Sequence, residues 1–168
     1  MKTRIFSVLC ENVAGVMMRV SRCFTRRQIN MDSITVGIEP SGLARMIILF
    51  QADDKMASFM RKVLLRLEPI VEVQMLEPEN SIAREICLFR TRKLKEEEMS
   101  ETIRLIQSAG GKVLEVREGT LIGEIGGSHE EVEHLLSSLG PDLLKEVARS
   151  GQVYLSKNKG PDQASGGI

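Results

Sequence analysis

The sequence lacks an excess of either charge and lacks any long apolar run. Its 168 residues include 23 Lys and Arg and 23 Asp and Glu, so the formal net charge is zero. Proteins that bind nucleic acid through its phosphates usually carry a basic excess. No apolar stretch approaches the roughly 20 residues that a membrane-spanning helix needs. The composition therefore argues against nucleic acid and membrane partners and predicts a soluble protein.

The side chains that form disulfides or bind metal ions are also scarce. The three cysteines, Cys10, Cys23 and Cys87, are odd in number and widely spaced, and each lies within an apolar pattern. We interpret them as reduced, buried, small hydrophobic residues. His129 and His134 are five positions apart and do not share a helix face at ligand spacing, so no metal site is predicted.

The short motifs of the common catalytic chemistries are absent. The sequence contains no Gly-x-Ser-x-Gly elbow, no phosphate loop ending in Lys-Ser or Lys-Thr and no dinucleotide fingerprint. We interpret the glycines at 110–111 and 123–127 as turn residues. An enzyme using Cys10 or His129 would need a base within reach of the nucleophile, and the sequence nominates no such pair. We therefore predict that the chain has no catalytic residues.

The first half of the chain contains the patterns of a strand, a helix, two strands, a helix and a strand. Alternation and apolar runs predict strands at 4–9, 34–38, 44–52 and 71–75. Helical spacing predicts a first helix through Val16, Val20, Cys23 and Phe24. It predicts a second helix through Met56, Phe59, Met60, Val63 and Leu67, which Asp53 and Asp54 can cap.

The same order starts again in the second half with a different sequence. It begins with a strand at 86–89 and is expected to close with one strand within 146–155. Ser128 and Glu131 have the spacing of a capping box before the last helix. The fold class predicted is α+β, with two ferredoxin-like βαββαβ domains in tandem. We place these domains at 1–78 and 79–158 and expect a disordered tail at 159–168.

The junction after the first strand has the best features of a binding site. Its sequence is Glu-Asn-Val-Ala-Gly-Val-Met, residues 11–17, and Gly15 stands immediately before the first helix. A glycine there leaves the first backbone amides of the helix accessible, and such amides attract an anion such as a carboxylate. The Asn12 amide could bind a second polar group. The same pattern is also common in turns that bind nothing.

Short motifs that match one protein family are distributed along both halves of the chain. In the first half the matching stretches are Glu11-Asn12, Gly15-Val16, Arg19-Val20, Ser33 to Val36 and Leu43 to Met46. In the second half they are Arg84-Glu85, Gly111 to Val113, Glu115-Val116 and Glu146 to Gly151. In this order, the motifs make the chain resemble the small subunits of acetolactate synthase, whose first half is an ACT domain. The resemblance covers residues from about 4 to about 155.

The resemblance implies a non-catalytic regulatory subunit that activates a separate catalytic (large) subunit. Thiamine diphosphate, FAD and Mg are then expected on that partner and not on this chain. It also implies feedback inhibition by valine, leucine or isoleucine in branched-chain amino acid biosynthesis, and a cytoplasmic homodimer formed through the ACT domain. Carried onto this sequence, the effector site would be formed by Asn12, Ala14, Gly15 and Val16 of one chain with Asn30 and Met31 of the other.

Two positions depart from the family's pattern. Gln28-Ile29 stands where the family usually has a Gly and an aromatic residue, and Met18 stands where a small hydroxyl residue is common. Both positions lie near the expected effector site and therefore bear on which amino acid binds.

The alternative function is a free-standing ACT-type amino-acid sensor acting on another partner. The absence of a helix-turn-helix pattern argues against a DNA-binding regulator.

Overall fold

The structure is a computed structural model that describes residues 1–158, and the predicted disordered tail at 159–168 lies outside the described residues. Nine strands and four helices follow one another in this part of the chain. They are β1 Lys2–Cys10, α1 Val16–Thr25, β2 Met31–Ile38, β3 Ala44–Ala52, α2 Asp54–Leu64, β4 Ile70–Leu76, β5 Ser81–Thr91, α3 Glu96–Ser108, β6 Lys112–Arg117, β7 Thr120–Gly127, α4 His129–Leu139, β8 Leu144–Arg149 and β9 Val153–Ser156.

Two antiparallel sheets have the same strand order. The first sheet has the order β2-β3-β1-β4, and the second has the corresponding order β6-β7-β5-β8. This is the order of the split βαβ fold, in which the first and third strands of the motif are central. The predicted α+β class with two ferredoxin-like units is confirmed.

The first core lies between one face of the first sheet and helices α1 and α2. Three phenylalanines occupy its centre, and the rings of Phe6 and Phe24 approach that of Phe50 edge-on at centroid distances of 4.8 and 5.1 Å. Val16 and Val20 complete the α1 contribution at the spacing predicted from the sequence. Because aromatic rings bury large apolar areas, this cluster fixes α1 against the sheet.

The predicted apolar stripe of α2 is partly wrong. The helix buries Ala57, Met60 and Leu64, whereas Met56 and Phe59 are exposed. The Phe59 ring instead lies under the Arg27 guanidinium, whose carbon is 4.8 Å from the ring centroid. A small alanine lets the helix approach the sheet closely, and the pattern of large apolar residues gave no indication of that. The predicted cap is correct, because Asp53 Oδ1 accepts from Met56 N at 2.7 Å.

The second core lies between the second sheet and helices α3 and α4, and its glycines differ from the prediction. Gly123, Gly126 and Gly127 lie within strand β7 and not in a turn. A Cβ on Gly123 would lie 2.4 Å from Phe89 Cζ, so this glycine makes room for the ring on the neighbouring strand. The predicted capping box is confirmed, since Ser128 N donates to Glu131 Oε2 and Glu131 N donates to Ser128 Oγ.

The predicted closing strand at 146–155 is two strands, β8 and β9. Gly151, with φ of 78°, lies in the break between them. The chain divides into one compact unit of residues 1–82 together with the segment from Val153, and a second unit of residues 83–152. Tyr154 of β9 packs on the face of the first sheet opposite its helices, against Ile5, Ile47, Leu49 and Leu76. This grouping differs from the expected boundary at 78–79 mainly by returning β9 to the first unit.

The three cysteines are free thiols. Cys10 and Cys87 are fully buried, as the sequence analysis predicted, and Cys23 is half-buried beside the first core. Burial raises the pKa of the Cys10 and Cys87 thiols. Both side chains therefore remain protonated at neutral pH and act as small apolar residues.

Candidate functional site

The corner between β1 and α1 is held by backbone hydrogen bonds. Glu11 N donates to Pro69 O at 2.8 Å, and Val13 N donates to Glu11 O at 3.0 Å, which turns the chain sharply. Gly15 then adopts a left-handed φ of 86° as the residue preceding α1. This conformation costs glycine little and most other residues about 1–2 kcal/mol. The glycine therefore determines where the helix begins.

The N-terminus of α1 has no acidic side chain to balance its partial positive charge. No side chain caps the helix at Gly15, and its first turn contains no Asp or Glu. By contrast, α2 and α4 begin with side chains that accept hydrogen bonds from their first-turn amides. Unpaired amides and an unbalanced helix dipole favour a negatively charged group, so the start of α1 is suited to a ligand carboxylate.

The corner is open. Asn12, Ala14 and Gly15 are exposed, and a Cβ built on Gly15 would meet no other group within 4 Å. Val16 is different, because its side chain is only 4% exposed and packs in the first core. Of these four predicted residues, Val16 can therefore face a ligand only through its backbone amide.

The structure does not bring the two halves of the predicted site together within one chain. Met31 is opposite Phe50 in the sheet, and Phe50 is opposite Arg4 near the start of β1. The Gly15 corner follows Cys10, six residues further along β1. At about 3.3 Å per residue the two halves are separated by roughly 20 Å along the strand. One small amino acid cannot contact both halves of the same chain.

A strained turn immediately precedes Asn30 and Met31, the second half of the predicted site. Gln28 has a left-handed φ of 54°, a conformation that favours glycine, and it occupies the position where the family usually has Gly. Asn30 follows as an exposed residue whose Nδ2 donates to Asp32 Oδ1 at 3.3 Å. Met31 is half-buried beside the first core. Met18, the other departure, is 57% exposed on α1.

An ion-pair cluster around the buried Glu85 joins the first and the last of the four family-like stretches of the second half. The Glu85 side chain on β5 is 3% exposed and accepts from Arg149 Nη2 on β8, while His129 Nδ1 lies 3.2 Å from Glu85 Oε1. Arg149 also donates to Glu133, and this hydrogen bond lowers the pKa of the Glu133 carboxyl. Ser150 N and Oγ both bond to the backbone of Ile86. Sequence reasoning missed this contact because nothing in one sequence pairs positions 64 residues apart.

Residues 1–158 contain neither a cluster of metal ligands nor a membrane-spanning helix. In this range no group of three or more His, Cys, Asp and Glu side chains could hold a metal ion. The four helices of the same range are all too short or too polar to cross a membrane.

Two family models match the chain, one on each half. A model described as an AHAS small subunit-like ACT domain matches residues 6–73, and one described as the small subunit of acetolactate synthase matches residues 84–158. The two matched segments correspond to the two sheets and together cover most of the described chain.

Similar proteins of known sequence and structure agree with these matches. A probable acetolactate synthase small subunit of Methanothermobacter thermautotrophicus is 35% identical over 156 residues, covering 92% of this chain and 93% of the relative. An acetolactate synthase small subunit of Mycolicibacterium smegmatis is 33% identical over 158 residues, covering 92% and 91%. The crystal structure of the small subunit from Thermotoga maritima superposes with a TM-score of 0.85 at 33% identity, covering 93% of this chain and 98% of that one. The resemblance seen in the sequence is confirmed, and the chain belongs to the family of acetolactate synthase small subunits.

Proposed function

We propose that this chain is a non-catalytic regulatory subunit that activates the catalytic (large) subunit of acetolactate synthase and mediates feedback inhibition by a branched-chain amino acid. Family membership supports the pairing with a catalytic subunit, since the relatives are small subunits of that enzyme. Thiamine diphosphate, FAD and Mg belong to the catalytic subunit in this proposal. The chemistry of the reaction then takes place on the partner, and this chain supplies control.

The open start of α1 is the observation that carries the effector role. A free amino acid has a carboxylate and an ammonium group, and the uncapped amides after Gly15 suit the carboxylate. The Asn12 side-chain oxygen can accept from the ammonium group. The apolar side chain of valine, leucine or isoleucine then needs an apolar wall, and Met31 is the nearest candidate among the predicted residues once a second chain is present.

A two-fold dimer through β2 would bring the two halves of the site together. Strand β2 is an edge of its sheet, and Val36 and Ile38 on it are 47% and 69% exposed. Antiparallel pairing of β2 with its copy would place the Met31 end of one strand beside the Ile38 end of the other. Within each chain, Ile38 lies at the same edge of the sheet as Cys10, because Ile38 is opposite Ala44 and Ala44 is opposite Cys10. Cys10 is the last residue of β1 before the Gly15 corner. The 20 Å separation within one chain thus favours a site shared between two.

A ligand bound between two chains can act on a partner protein. Occupancy would fix the relative position of the two ACT domains, and the catalytic subunit would respond to that position. A coupling free energy of about 1–3 kcal/mol corresponds to a 5- to 150-fold effect on the partner's working state. No covalent chemistry by the small subunit is required.

The decisive experiment compares Gly15→Asp with Gly110→Asp. Both glycines have a left-handed φ, 86° and 81°, and neither has another group within 4 Å of an added Cβ, so the two substitutions impose similar backbone strain. A carboxylate about 4 Å from the effector's carboxylate repels it by about 4 kcal/mol at an effective dielectric near 20. We expect Gly15→Asp to weaken valine binding, measured by calorimetry, on the order of 100-fold or more. Gly110→Asp should bind valine like the original chain.

The same variants are then mixed with the catalytic subunit, and acetolactate formation is followed with increasing valine. Gly15→Asp should still activate the catalytic subunit but should no longer confer inhibition. Full inhibition by the Gly15→Asp variant would exclude the corner as the effector site. Lack of activation by the original chain would exclude the regulatory role itself and favour the free-standing sensor. Acetolactate formation by the chain alone would instead show that it is an enzyme.

The shared site also requires a dimer. Analytical ultracentrifugation of the original chain at micromolar concentration should give the mass of two chains, and Ile38→Glu should shift it toward one because it places a charge at the proposed seam. A monomeric original chain that still bound valine would contradict the two-chain site while leaving the corner intact.

A further inference from the structure

We propose that a cavity in the second unit binds a small dianion, either a phosphate ester or a dicarboxylate. The cavity has a volume of about 450 Å³, which lies within the usual range for small-molecule sites. All of its lining residues lie between positions 90 and 145, and so within the second unit. Its charged lining residues are Arg90, Lys93, Arg117, Lys145, Glu115 and Glu118.

The lining residues carry a net charge of +2, from four cations and two carboxylates, in a chain whose net charge is zero. Arg90 is already engaged, because its Nε lies 3.1 Å from Glu146 Oε2. Lys93, Arg117 and Lys145 form no ion pair with any residue in the range 1–158 that the structure describes. Unpaired cations that converge on a concave surface attract anions more strongly than isolated surface cations do.

The backbone around the cavity is held by a tight turn and by contacts within the second unit. Glu118 and Gly119 both have positive φ, 53° and 81°, which is the geometry of a tight hairpin turn between β6 and β7. Leu94 N donates to Gly119 O at 2.8 Å, and a Cβ on Gly119 would lie 3.1 Å from Lys93 Cγ. The Lys93 stem therefore lies against the turn. Such preorganisation lowers the entropic cost of binding.

The chemistry of the lining favours a small, strongly charged ligand over an apolar one. Ile122 is the single apolar side chain in the lining, and the remaining residues are charged or threonines. Thr91 is fully buried, and its hydroxyl is occupied, since it accepts from Leu121 N and donates to Arg92 O. Recognition is thus left to the cations. The three cations outside any ion pair, Lys93, Arg117 and Lys145, favour a dianion over a monoanion. Glu115 and Glu118 would disfavour ligands with more than two negative charges.

The test is a titration of the full-length ¹⁵N-labelled chain, followed by amide chemical shifts, with inorganic phosphate and with succinate as separate probes at constant ionic strength. We expect saturable shifts confined to residues 90–94, 115–122 and 144–146. The probe that saturates at lower concentration identifies the ligand as a phosphate or a dicarboxylate. Shifts that follow neither probe, or that spread over exposed Lys and Arg throughout the chain, would overturn the proposal.

Three variants separate a built site from general electrostatics. Lys93→Gln with Arg117→Gln should weaken binding about tenfold or more. The matched control, Lys55→Gln with Arg66→Gln, removes two exposed cations from the first unit and should leave binding unchanged. A loss of similar size in both variants would refute the site.

The third variant is expected to bind phosphate more tightly, not more weakly. Glu115→Gln with Glu118→Gln removes the two carboxylates from the lining and should tighten phosphate binding several-fold. Misfolding would weaken binding and cannot imitate this result. Unchanged or weaker binding by this variant would contradict the proposed role of the cavity. Because the cavity and the Gly15 corner are tested by different probes and variants, failure of either proposal leaves the other standing.

Discussion

Replacing Arg149 with methionine should destabilise the second unit strongly, because the Glu85 carboxylate would then be buried without its cation. The Glu85 side chain is 3% exposed, whereas that of Arg149 is 31% exposed. Removing one partner of a buried pair costs about 3–5 kcal/mol. Since water reaches part of the guanidinium, we expect a value near the lower end, about 3 kcal/mol. The Glu133 contact is half-exposed and should add less than about 1 kcal/mol.

A second substitution distinguishes a buried charge from lost packing. Glu85→Gln in the Arg149→Met background removes the uncompensated charge while keeping nearly the same shape. The double variant should therefore be more stable than Arg149→Met alone, by about 2 kcal/mol. Arg90→Met is the matched control, because it breaks the Arg90–Glu146 pair between the same two strands where both side chains are largely exposed. It should cost less than about 1 kcal/mol.

Amide hydrogen exchange, resolved by mass spectrometry on peptides covering β5 and β8, is the appropriate assay because it reports the opening free energy of the second unit by itself. Urea denaturation followed by circular dichroism gives the global value for comparison. Equal losses in Arg149→Met and Arg90→Met would refute the reasoning. So would a double variant no more stable than Arg149→Met, since the penalty would then not come from the charge on Glu85.

Three further substitutions should change the stability of the folded chain: one should raise it, one should lower it, and one should change its dependence on pH. Gln28→Gly should stabilise the folded chain by up to about 1 kcal/mol in urea denaturation, because relief of the left-handed strain outweighs the extra entropy of glycine in the unfolded state. Destabilisation would show that the Gln28 side chain itself stabilises the fold. Gly123→Ala should destabilise by about 1–3 kcal/mol or more, since its Cβ would overlap the Phe89 ring, and an unchanged midpoint would contradict that crowding. The hydrogen bond from Arg92 lowers the pKa of Glu98 from 4.5 to about 2. A carboxyl whose pKa is lower in the folded state stabilises that state at pH values above its unfolded pKa. The stability difference between the original chain and Glu98→Gln, measured by thermal unfolding, should therefore shrink as the pH falls from about 4.5 toward 2. A difference that does not change over this pH range would rule out the linkage.

The order of elements could be predicted from the sequence because it rests on local patterns. Alternation and helical spacing identified the strands and helices of both units, and the Ser128–Glu131 spacing identified a helix start that the structure confirms. The Gly15 corner was found the same way, since a glycine between a strand and a helix has a local conformational cause. Whether an effector binds there stays a prediction.

The features that sequence reasoning missed all depend on residues that meet only after folding. Helical spacing places Phe59 on the apolar stripe of the second helix, but its ring lies under Arg27 from the turn that follows α1. The glycine pattern predicts a turn at Gly123, but this glycine accommodates a ring on a neighbouring strand. The Glu85–Arg149 pair joins positions far apart in the chain. Composition and periodicity contain no information on such long-range pairs, and a single sequence offers no covariation to supply it.

The position of Tyr154 on the first sheet has a consequence for how the protein is made. Domains generally fold in order as the chain leaves the ribosome, N-terminal first. Here the outer apolar cluster of the first sheet, with Ile5 and Leu49, receives its last member from a strand near the end of the described chain. During synthesis, this surface of the ACT domain therefore stays uncovered until the whole second unit has been made. A fragment ending at residue 78 would preserve this unfinished state, and its solubility would understate that of the same domain in the longer chain.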